Sequence, residues 1–206
     1  MADPFGNARR YMLERLKWRG VRDERVLRAM AEVPRHLFVP PKFAYLSYTD
    51  VAVPVGEGQT STPPDFVALA CQLAKIPKGA KVLELGTGTG YQTAVLSRLA
   101  AEVITVEISE ALARRAVQNL KRVGAENVKV IRRDGRLGLP DFAPYDVIIY
   151  AFGIPEVPRE VLRQLKPEGR LLAPVGTKYL QRLWVYGPNG AGRPTFPVLY
   201  TWVRTR

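Results

Sequence analysis

The sequence predicts an α/β fold, in which a mostly parallel sheet is covered by helices, with a helical segment before it and antiparallel strands after it. From Asp65 onward, short apolar runs alternate with segments of helical periodicity, a pattern typical of βαβ units. One of these runs leads directly into a glycine turn, Gly86-Thr87-Gly88-Thr89-Gly90, and then into a helix. The tail from Gln181 alternates apolar and polar side chains around Pro188-Asn189-Gly190, which indicates antiparallel strands.

The chain up to Tyr45 is predicted to be helical. Apolar side chains recur near helical spacing in a first helix: Tyr11, Met12, Leu16 and Trp18. Gly20 ends this helix, and Asp23 is a plausible cap for a second helix over residues 24–33, which Pro34 stops.

The segment from Pro40 to Pro64 is rich in proline and glycine and is predicted to be an irregular loop. Such a long loop inside a compact chain is usually functional. We therefore divide the chain into residues 1–64, which carry the N-terminal helices and an active-site loop, and residues 65–206, which form the core. The two parts are expected to make one compact unit.

The core elements follow in order along the chain. The predicted strands of the parallel sheet are residues 81–85, 103–107, 128–132, 146–151 and 170–174. The predicted helices are one through Phe66 and Leu73, one after the glycine turn through Leu99, and two at residues 110–123 and 159–165. The antiparallel tail strands are predicted at residues 181–186 and 198–204.

Composition limits the function classes. The 206 residues include 31 Lys and Arg against 19 Asp and Glu, and the formal charge of +12 favours a nucleic-acid partner. A single cysteine, Cys71, and a single histidine, His36, exclude a disulfide framework and a Cys- or His-rich metal site, so no metal is expected. No signal-peptide pattern and no apolar run near the roughly 20 residues of a membrane span is present. We expect a cytoplasmic monomer that does not enter the membrane.

The glycine turn predicts a nucleoside ligand. Glycines admit a ligand close to the backbone, and the helix N-terminus that follows offers free N–H groups. A dinucleotide fingerprint would need a glycine where Tyr91 stands, so the spacing suits S-adenosylmethionine better than NAD. The alternative is a tight turn without any ligand.

Two acidic residues follow neighbouring predicted strands. Glu107 ends the second strand of the sheet, about 20 residues after the turn, where a carboxylate can accept from both ribose hydroxyls. Asp134-Gly135 follows the third strand, where the carboxylate can meet the adenine amine, although Asp-Gly is also an ordinary turn.

Several stretches of the chain resemble the protein-L-isoaspartate O-methyltransferase family, and together they cover nearly all of it. They are residues 25–30 with 33–40, 58–60, 83–92, 134–135 with 143–146, and 164–167 with 174–176. The glycine turn is shared by many methyltransferases. The Gly58-Gln59-Thr60 loop and the Pro34-Arg35-His36 segment are specific to this family.

The resemblance implies a class I S-adenosylmethionine-dependent methyltransferase fold, which is Rossmann-like, and a protein repair enzyme. Such an enzyme transfers a methyl group from S-adenosylmethionine to the α-carboxylate of L-isoaspartyl residues, so its partners are isoaspartyl-containing proteins and peptides. The implied cofactor-binding residues are Gly86, Thr87, Gly88, Gly90, Glu107, Asp134 and Gly135. The implied catalytic residues, which close over the methyl group and the substrate carboxylate, are Gln59, Thr60, Ser61 and Thr62.

This chain departs from the family at two places. The family usually reads Gly-Gln-Thr-Ile-Ser, with the serine beside the transferred methyl group, and here Thr62 stands in the serine position after Ser61. Either residue can therefore supply the active-site hydroxyl. The small residues that follow the fourth strand in the family are replaced by Tyr150-Ala151-Phe152-Gly153, which alters the shape of the substrate pocket.

Two other function classes stay open. An RNA or DNA methyltransferase fits the basic residues Arg114, Arg115, Lys121, Arg122, Lys129, Arg132, Arg133 and Arg136. Against it, the chain has no Asn-Pro-Pro-Tyr motif, and Cys71 has no preceding proline that would suit attack on a pyrimidine. A non-enzymatic module that binds S-adenosylmethionine would keep the glycine turn but would need no ordered loop at residues 59–62.

Overall fold

A seven-stranded sheet forms the centre of the protein, whose computed structural model describes residues 4–202. The strands are β1 (Val53–Gly56), β2 (Gln59–Ser61), β3 (Lys81–Leu85), β4 (Glu102–Glu107), β5 (Val128–Arg132), β6 (Tyr145–Tyr150), β7 (Leu165–Gly176), β8 (Gln181–Tyr186) and β9 (Gly192–Val198). The sheet has the order β5-β4-β3-β6-β7-β8-β9, and β1 and β2 form a separate hairpin. The first five strands of that order are parallel, and β8 and β9 are antiparallel. The predicted fold class is confirmed.

Six α-helices accompany the strands in the described residues. They are α1 (Gly6–Trp18), α2 (Glu24–Glu32), α3 (Pro64–Ala74), α4 (Tyr91–Ser97), α5 (Glu110–Arg122) and α6 (Arg159–Leu162). Asp23 caps α2 as predicted, because its side chain accepts from the backbone N–H groups of Arg25 and Val26. The predicted strands and helices from residue 65 to residue 174 occur near their expected bounds, although β7 is considerably longer than predicted.

The side chains of each central strand alternate between two apolar clusters. In β3, Val82 joins a cluster that also contains buried residues of α1 to α5, such as Met12 and Val67. Leu83 and Leu85 face the opposite side, where a smaller cluster includes residues of α6 and its surroundings. Because α1 packs on α2 and α2 packs on α3 and α4, the buried side chains of the N-terminal helices join the same apolar cluster as those of the core.

The second tail strand lies earlier than predicted. We expected it at residues 198–204, of which 203 and 204 lie outside the described residues, but the strand ends at Val198. The sequence of β9 does not look like a strand because it contains two prolines, Pro194 and Pro197. An edge strand accepts proline, because one side of its backbone needs no hydrogen-bond partner. Beyond it, the Tyr200 backbone bonds to the Gln181 side chain through its N–H at 3.0 Å and its carbonyl at 3.1 Å.

Two further expectations were wrong. Tyr11 is 67% exposed and Trp18 is 87% exposed, so the buried face of α1 is formed by Met12 and Leu16 without them. The proline-rich segment is also more regular than predicted, because it contains two 3₁₀ turns and the β1–β2 hairpin. The hairpin has a two-residue turn at Glu57-Gly58, and both residues have positive φ, as in the turns that suit a twisted hairpin.

The topology brings the carboxyl ends of β3, β4, β5 and β6 to one edge of the sheet. In open α/β sheets ligands bind at this edge.

None of the helices within residues 4–202 combines the length and the apolar character that a membrane crossing needs.

Candidate active site

A cleft at this edge of the sheet brings together the segments that the sequence singled out. Its wall includes residues 59–63, 86–89, 106–109, 134–136, 151–152 and 199–202. All four predicted catalytic residues lie on one side of this wall, in and after β2. Of the predicted cofactor residues, Gly90 lies outside the lining, and a methyl group there would come within 3.3 Å of Leu120 on α5. Its small size therefore serves the packing of the turn on α5.

The glycine turn has no room for side chains at its first position. Gly86 has a φ of +101°, and a Cβ atom there would lie 2.9 Å from the ring of Phe152. Gly88 has a φ of +58°, but nothing lies within 4 Å of the position that its Cβ would take. The space beside Gly88 is open to the cleft, as a close approach by a ligand requires.

Glu107, the last residue of β4, forms a hydrogen bond with the main chain of the glycine turn. Its Oε2 accepts from the Gly88 N–H at 2.8 Å, and its Oε1 accepts from the Ser109 N–H at 2.9 Å. Burial raises the pKa of Glu107, and the main-chain N–H groups of Ser109 and Gly88 oppose that rise. Because each carboxylate oxygen has more than one lone-pair direction, both keep acceptor capacity for ligand hydroxyls.

A buried carboxylate that the sequence did not single out lies beneath the turn. Glu84 is fully buried and accepts from Gln92 at 3.0 Å, from Thr105 at 2.7 Å and from the Thr93 hydroxyl. The Thr105 hydroxyl also meets the hydroxyl of Thr87 at 2.6 Å, so the Thr87 side chain bonds to the network beneath it. Burial raises the pKa of Glu84 to about 7, against the effect of the three hydrogen bonds.

Asp134 and Gly135 lie at the cleft wall as expected, together with Arg136, one of the basic residues that fit a nucleic-acid methyltransferase. Arg136 donates from Nη2 to Asp134 Oδ2 at 2.7 Å and from its backbone N–H to Oδ1 at 3.0 Å. Arg136 also lines the cleft. The Asp134 carboxylate is therefore held in a fixed direction by a bidentate arginine.

The second departure from the family pattern, residues 150–153, places two large side chains beside the cleft. Tyr150 is buried and donates from its hydroxyl to the Arg136 carbonyl at 2.8 Å. Phe152 stacks edge-on against Tyr150, with ring centroids 5.3 Å apart, and lines the cleft beside Gly86. Phe152 thus packs against the glycine turn, and Tyr150 bonds to the segment that carries Asp134.

The β1–β2 hairpin carries the predicted catalytic residues and is fixed from several sides. The Thr60 hydroxyl meets the hydroxyl of Thr201 at 3.2 Å, which joins the hairpin to the C-terminal segment. Arg115 of α5 donates to the Val55 carbonyl at 2.6 Å. The Ser61 hydroxyl accepts from Arg35 at 3.3 Å. No sequence motif marks residues 199–202, which form the C-terminal part of the cleft wall, so sequence reasoning missed them.

The chemistry available in the cleft is that of hydroxyls, main-chain N–H groups and carboxylates. Within residues 4–202, no group of three or more His, Cys, Asp or Glu side chains could hold a metal ion. The arrangement can bind the sugar of a nucleoside at Glu107 and can orient a small anionic group at the hairpin.

Comparisons with known proteins agree with one another. The family model described as "Protein-L-isoaspartate(D-aspartate) O-methyltransferase (PCMT)" matches residues 7–196. A protein-L-isoaspartate O-methyltransferase of Methanoregula boonei is 46% identical over 189 residues, which cover 91% of this chain and 87% of that protein.

Two solved structures extend the comparison. One protein-L-isoaspartate O-methyltransferase superposes with a TM-score of 0.83 at 31% identity, over 96% of this chain and 66% of that chain. A Plasmodium falciparum protein in complex with S-adenosyl-L-homocysteine gives a TM-score of 0.82 over 94% of this chain and 97% of that chain. At 24% identity, this second likeness shows the fold.

Proposed function

The chain belongs to the protein-L-isoaspartate O-methyltransferase family, and from this premise we propose which residues of its cleft perform the reaction. The protein is an S-adenosylmethionine-dependent carboxyl methyltransferase of protein repair, which acts on L-isoaspartyl residues. One observation carries the residue assignment. The Gly-Gln-Thr hairpin specific to the family and the glycine turn shared by methyltransferases line the same cleft.

The glycine-turn side of the cleft fits the cofactor. The two Glu107 oxygens, which accept from main-chain N–H groups and keep spare lone pairs, suit the two hydroxyls of a ribose. The open space beside Gly88 suits the methionine part, and Asp134 with Gly135 suits the adenine. S-adenosylmethionine, when bound, supplies an electrophilic methyl group and needs no metal.

The hairpin side receives the substrate carboxylate. An α-carboxylate has a pKa of about 3.3–3.7, so it is ionised at pH 7 and needs no general base. The work of the protein is to hold one carboxylate oxygen in line with the methyl carbon. Hydroxyl and amide groups of Gln59, Thr60, Ser61 and Thr62 provide the donors for this purpose, and they do so without the strong charge pairing of an arginine.

The basic surface does not require a nucleic-acid substrate. Of the eight basic residues that favoured that alternative, four pair with carboxylates in the described part of the chain: Arg114 and Arg132 with Glu110, Arg133 with Asp141, and Arg136 with Asp134. Such paired cations contribute less to phosphate binding than free ones. We propose that proteins and peptides, and not RNA or DNA, are the substrates.

We further propose that the enzyme works as a cytoplasmic monomer. Its one cysteine, Cys71, is buried and unpaired, which suits a reducing compartment. Light scattering on the purified chain tests the monomer, with a mass near 23.0 kDa expected and a multiple of it contradicting the proposal.

The product distinguishes the proposed reaction from its rivals. Protein incubated with methyl-labelled S-adenosylmethionine and an isoaspartyl peptide should form a methyl ester, which mild base releases as methanol. Total RNA and duplex DNA in parallel reactions should gain no label. Base-stable label on nucleic acid, with none on the peptide, would establish the alternative. No label on any substrate, with the cofactor bound, would favour a binding module.

A further inference from the structure

Arg35 is a buried arginine that the proposed reaction does not use. Its side chain is 0% exposed, and it does not line the cleft. It lies in a 3₁₀ turn, Arg35–Phe38, directly after Pro34, in the segment that the sequence marks as specific to the family. A buried guanidinium is costly unless its donors are used, so its partners indicate what it does.

The partners of Arg35 belong mainly to the catalytic hairpin. Nη2 donates to the carbonyl of Thr62 at 3.0 Å, and to the carbonyl and hydroxyl of Ser61 at 3.3 Å each. Nη1 donates to the carbonyl of Ser47 at 2.6 Å. One guanidinium nitrogen, Nη2, therefore contacts two successive carbonyls of the segment that carries the predicted catalytic hydroxyls, while the buried Nε has no hydrogen-bond partner in the described residues.

These bonds also set the direction of the opposite main-chain groups. In a trans peptide the carbonyl of one residue and the N–H of the next point in opposite directions. Because Arg35 holds the Ser61 carbonyl, the N–H of Thr62 points away from Arg35. Arg35 lies outside the cleft wall, and Thr62 lies in it.

The hydroxyls of Ser61 and Thr62 differ in their contacts with Arg35. The Ser61 hydroxyl is 3.3 Å from Arg35 and accepts a hydrogen bond from it. Among the residues that the structure describes, none forms a hydrogen bond with the Thr62 hydroxyl. The Ser61 hydroxyl is therefore held by Arg35, although it keeps its own O–H donor, whereas the Thr62 hydroxyl is not held by any side chain or main-chain group of residues 4–202.

Arg35 also contacts the cofactor side of the cleft. Its guanidinium lies 5.4 Å from the ring centroid of Tyr91, the first residue of α4 after the glycine turn. Burial lowers the pKa of Arg35 to about 10, which still leaves the group charged at pH 7. One charged side chain thus spans the hairpin and the start of the helix behind the cofactor.

We propose that Arg35 is a positioning residue for methyl transfer, which binds Ser61 and the hairpin main chain so that the hydroxyl and N–H of Thr62 face the substrate carboxylate. This inference rests on the proposed function and deepens it, because it assigns the active-site hydroxyl to Thr62. Ser61, which stands where the family usually has isoleucine, then becomes part of the support.

The first test uses Arg35→Lys with Arg25→Lys as its matched control. Arg25 also donates to two main-chain carbonyls, those of Ile76 at 2.8 Å and Leu99 at 2.6 Å, but it lies away from the cleft. Arg35→Lys should lower kcat for an isoaspartyl peptide by about 10- to 100-fold, because a misplaced catalytic group costs rates of this order. The dissociation constant for S-adenosylhomocysteine should change by less than about threefold. Arg25→Lys should leave kcat within about twofold of the wild type.

The second test asks whether Arg35 acts through Thr62. Residues that act as one unit show non-additive effects in a double-mutant cycle. In a Thr62→Val background, Arg35→Lys should lower kcat by less than about threefold further. A loss that multiplies in full, or a kcat for Arg35→Lys within about twofold of the wild type, overturns the proposal.

The third test does not depend on activity. Hydrogen exchange of the amides of β2, residues 59–61, should be about 10-fold faster or more in Arg35→Lys, as expected when a charge-assisted hydrogen bond to the segment is lost, and unchanged in Arg25→Lys. Unchanged exchange in Arg35→Lys overturns the proposal. If the wild type methylates no isoaspartyl peptide, the proposed function fails, and this exchange result alone then decides whether Arg35 holds the hairpin.

Discussion

Replacing Glu107 by glutamine tests the cofactor site at its most constrained point. The side chain is 7% exposed, and its two oxygens accept from the N–H groups of Gly88 and Ser109. Glutamine has nearly the same shape but only one acceptor oxygen. Its NH₂ group must therefore face one of these two N–H donors, and the negative charge that would receive the ribose hydroxyls is lost.

The expected loss of affinity can be worked from these contacts. A hydrogen bond to a charged group contributes about 1.5–3 kcal/mol, which corresponds to roughly 10- to 150-fold in the dissociation constant. The main-chain N–H that loses its acceptor adds about 1–3 kcal/mol to the destabilisation of the fold. For a protein of this size each kcal/mol lowers Tm by roughly 2–4 °C. Glu107→Gln should therefore weaken cofactor binding strongly and stability moderately.

Isothermal titration calorimetry with S-adenosylmethionine measures the first effect, and thermal unfolding measures the second. Glu102→Gln is the matched control, because Glu102 begins the same strand, lies at the opposite edge of the sheet and makes only a surface pair with Lys81 at 3.8 Å. The control should bind the cofactor as the wild type does. An unchanged dissociation constant in a folded Glu107→Gln protein would refute the assignment of the ribose to Glu107.

Three further predictions concern the turn and the hairpin. Burial keeps the folded-state pKa of Glu84 near 7, above its ordinary value of 4.5. The wild type should therefore lose about 3 kcal/mol of stability relative to Glu84→Gln as pH rises from 4.5 to 7. Urea unfolding at several pH values measures this loss, and a difference in stability that stays constant with pH contradicts it. Thr62→Val should reduce kcat more than Ser61→Ala, and the reverse order in steady-state assays would assign the hydroxyl to Ser61. Gly88→Ala should bind S-adenosylmethionine weakly and should lower Tm by only the few degrees that an alanine at a φ of +58° costs. Gly86→Ala, which is strained in the same way and is also crowded by the Phe152 ring, should lower Tm further; equal Tm values for the two variants would contradict the crowding at Gly86.

The parallel part of the fold is readable from the sequence because each of its signals is local. The run 81–85 is short, apolar and bounded by turn residues, and the structure places β3 at those same residues. Asp23 stands directly before a periodic apolar face, so the start of α2 follows from capping alone.

The elements that the sequence did not reveal depend on tertiary context. Trp18 has the right spacing for the apolar face of α1, yet α2, which packs on α1, leaves the Trp18 side chain uncovered. β9 contains two prolines, which a sequence pattern interprets as a break, and only its position at the sheet edge makes them acceptable. The hairpin turn places a glutamate, Glu57, at positive φ, where asparagine, aspartate or glycine is usual, so its sequence gives no hairpin signal.

In the candidate site, too, some residues could be predicted from local motifs and others depend on tertiary context. The glycine turn, Glu107 and the hairpin hydroxyls carry motifs, and the structure brings them to one cleft. Glu84 and Arg35 are buried and bond to residues of the cleft wall or to their neighbours, and no spacing rule identifies a buried side chain with such contacts. Residues 199–202 enter the wall because β9 ends at Val198 and the chain turns back across the cleft, which no local pattern encodes.

The most direct test of the account is methylation of two peptides that differ only in one linkage. One peptide carries an L-isoaspartyl residue, and its twin carries the normal aspartyl residue at the same position. With methyl-labelled S-adenosylmethionine, the isoaspartyl peptide should be esterified with saturable kinetics, and its twin should stay at the level of a reaction without enzyme. Equal labelling of both peptides, or labelling of neither, would contradict the assignment of this cleft to isoaspartyl repair.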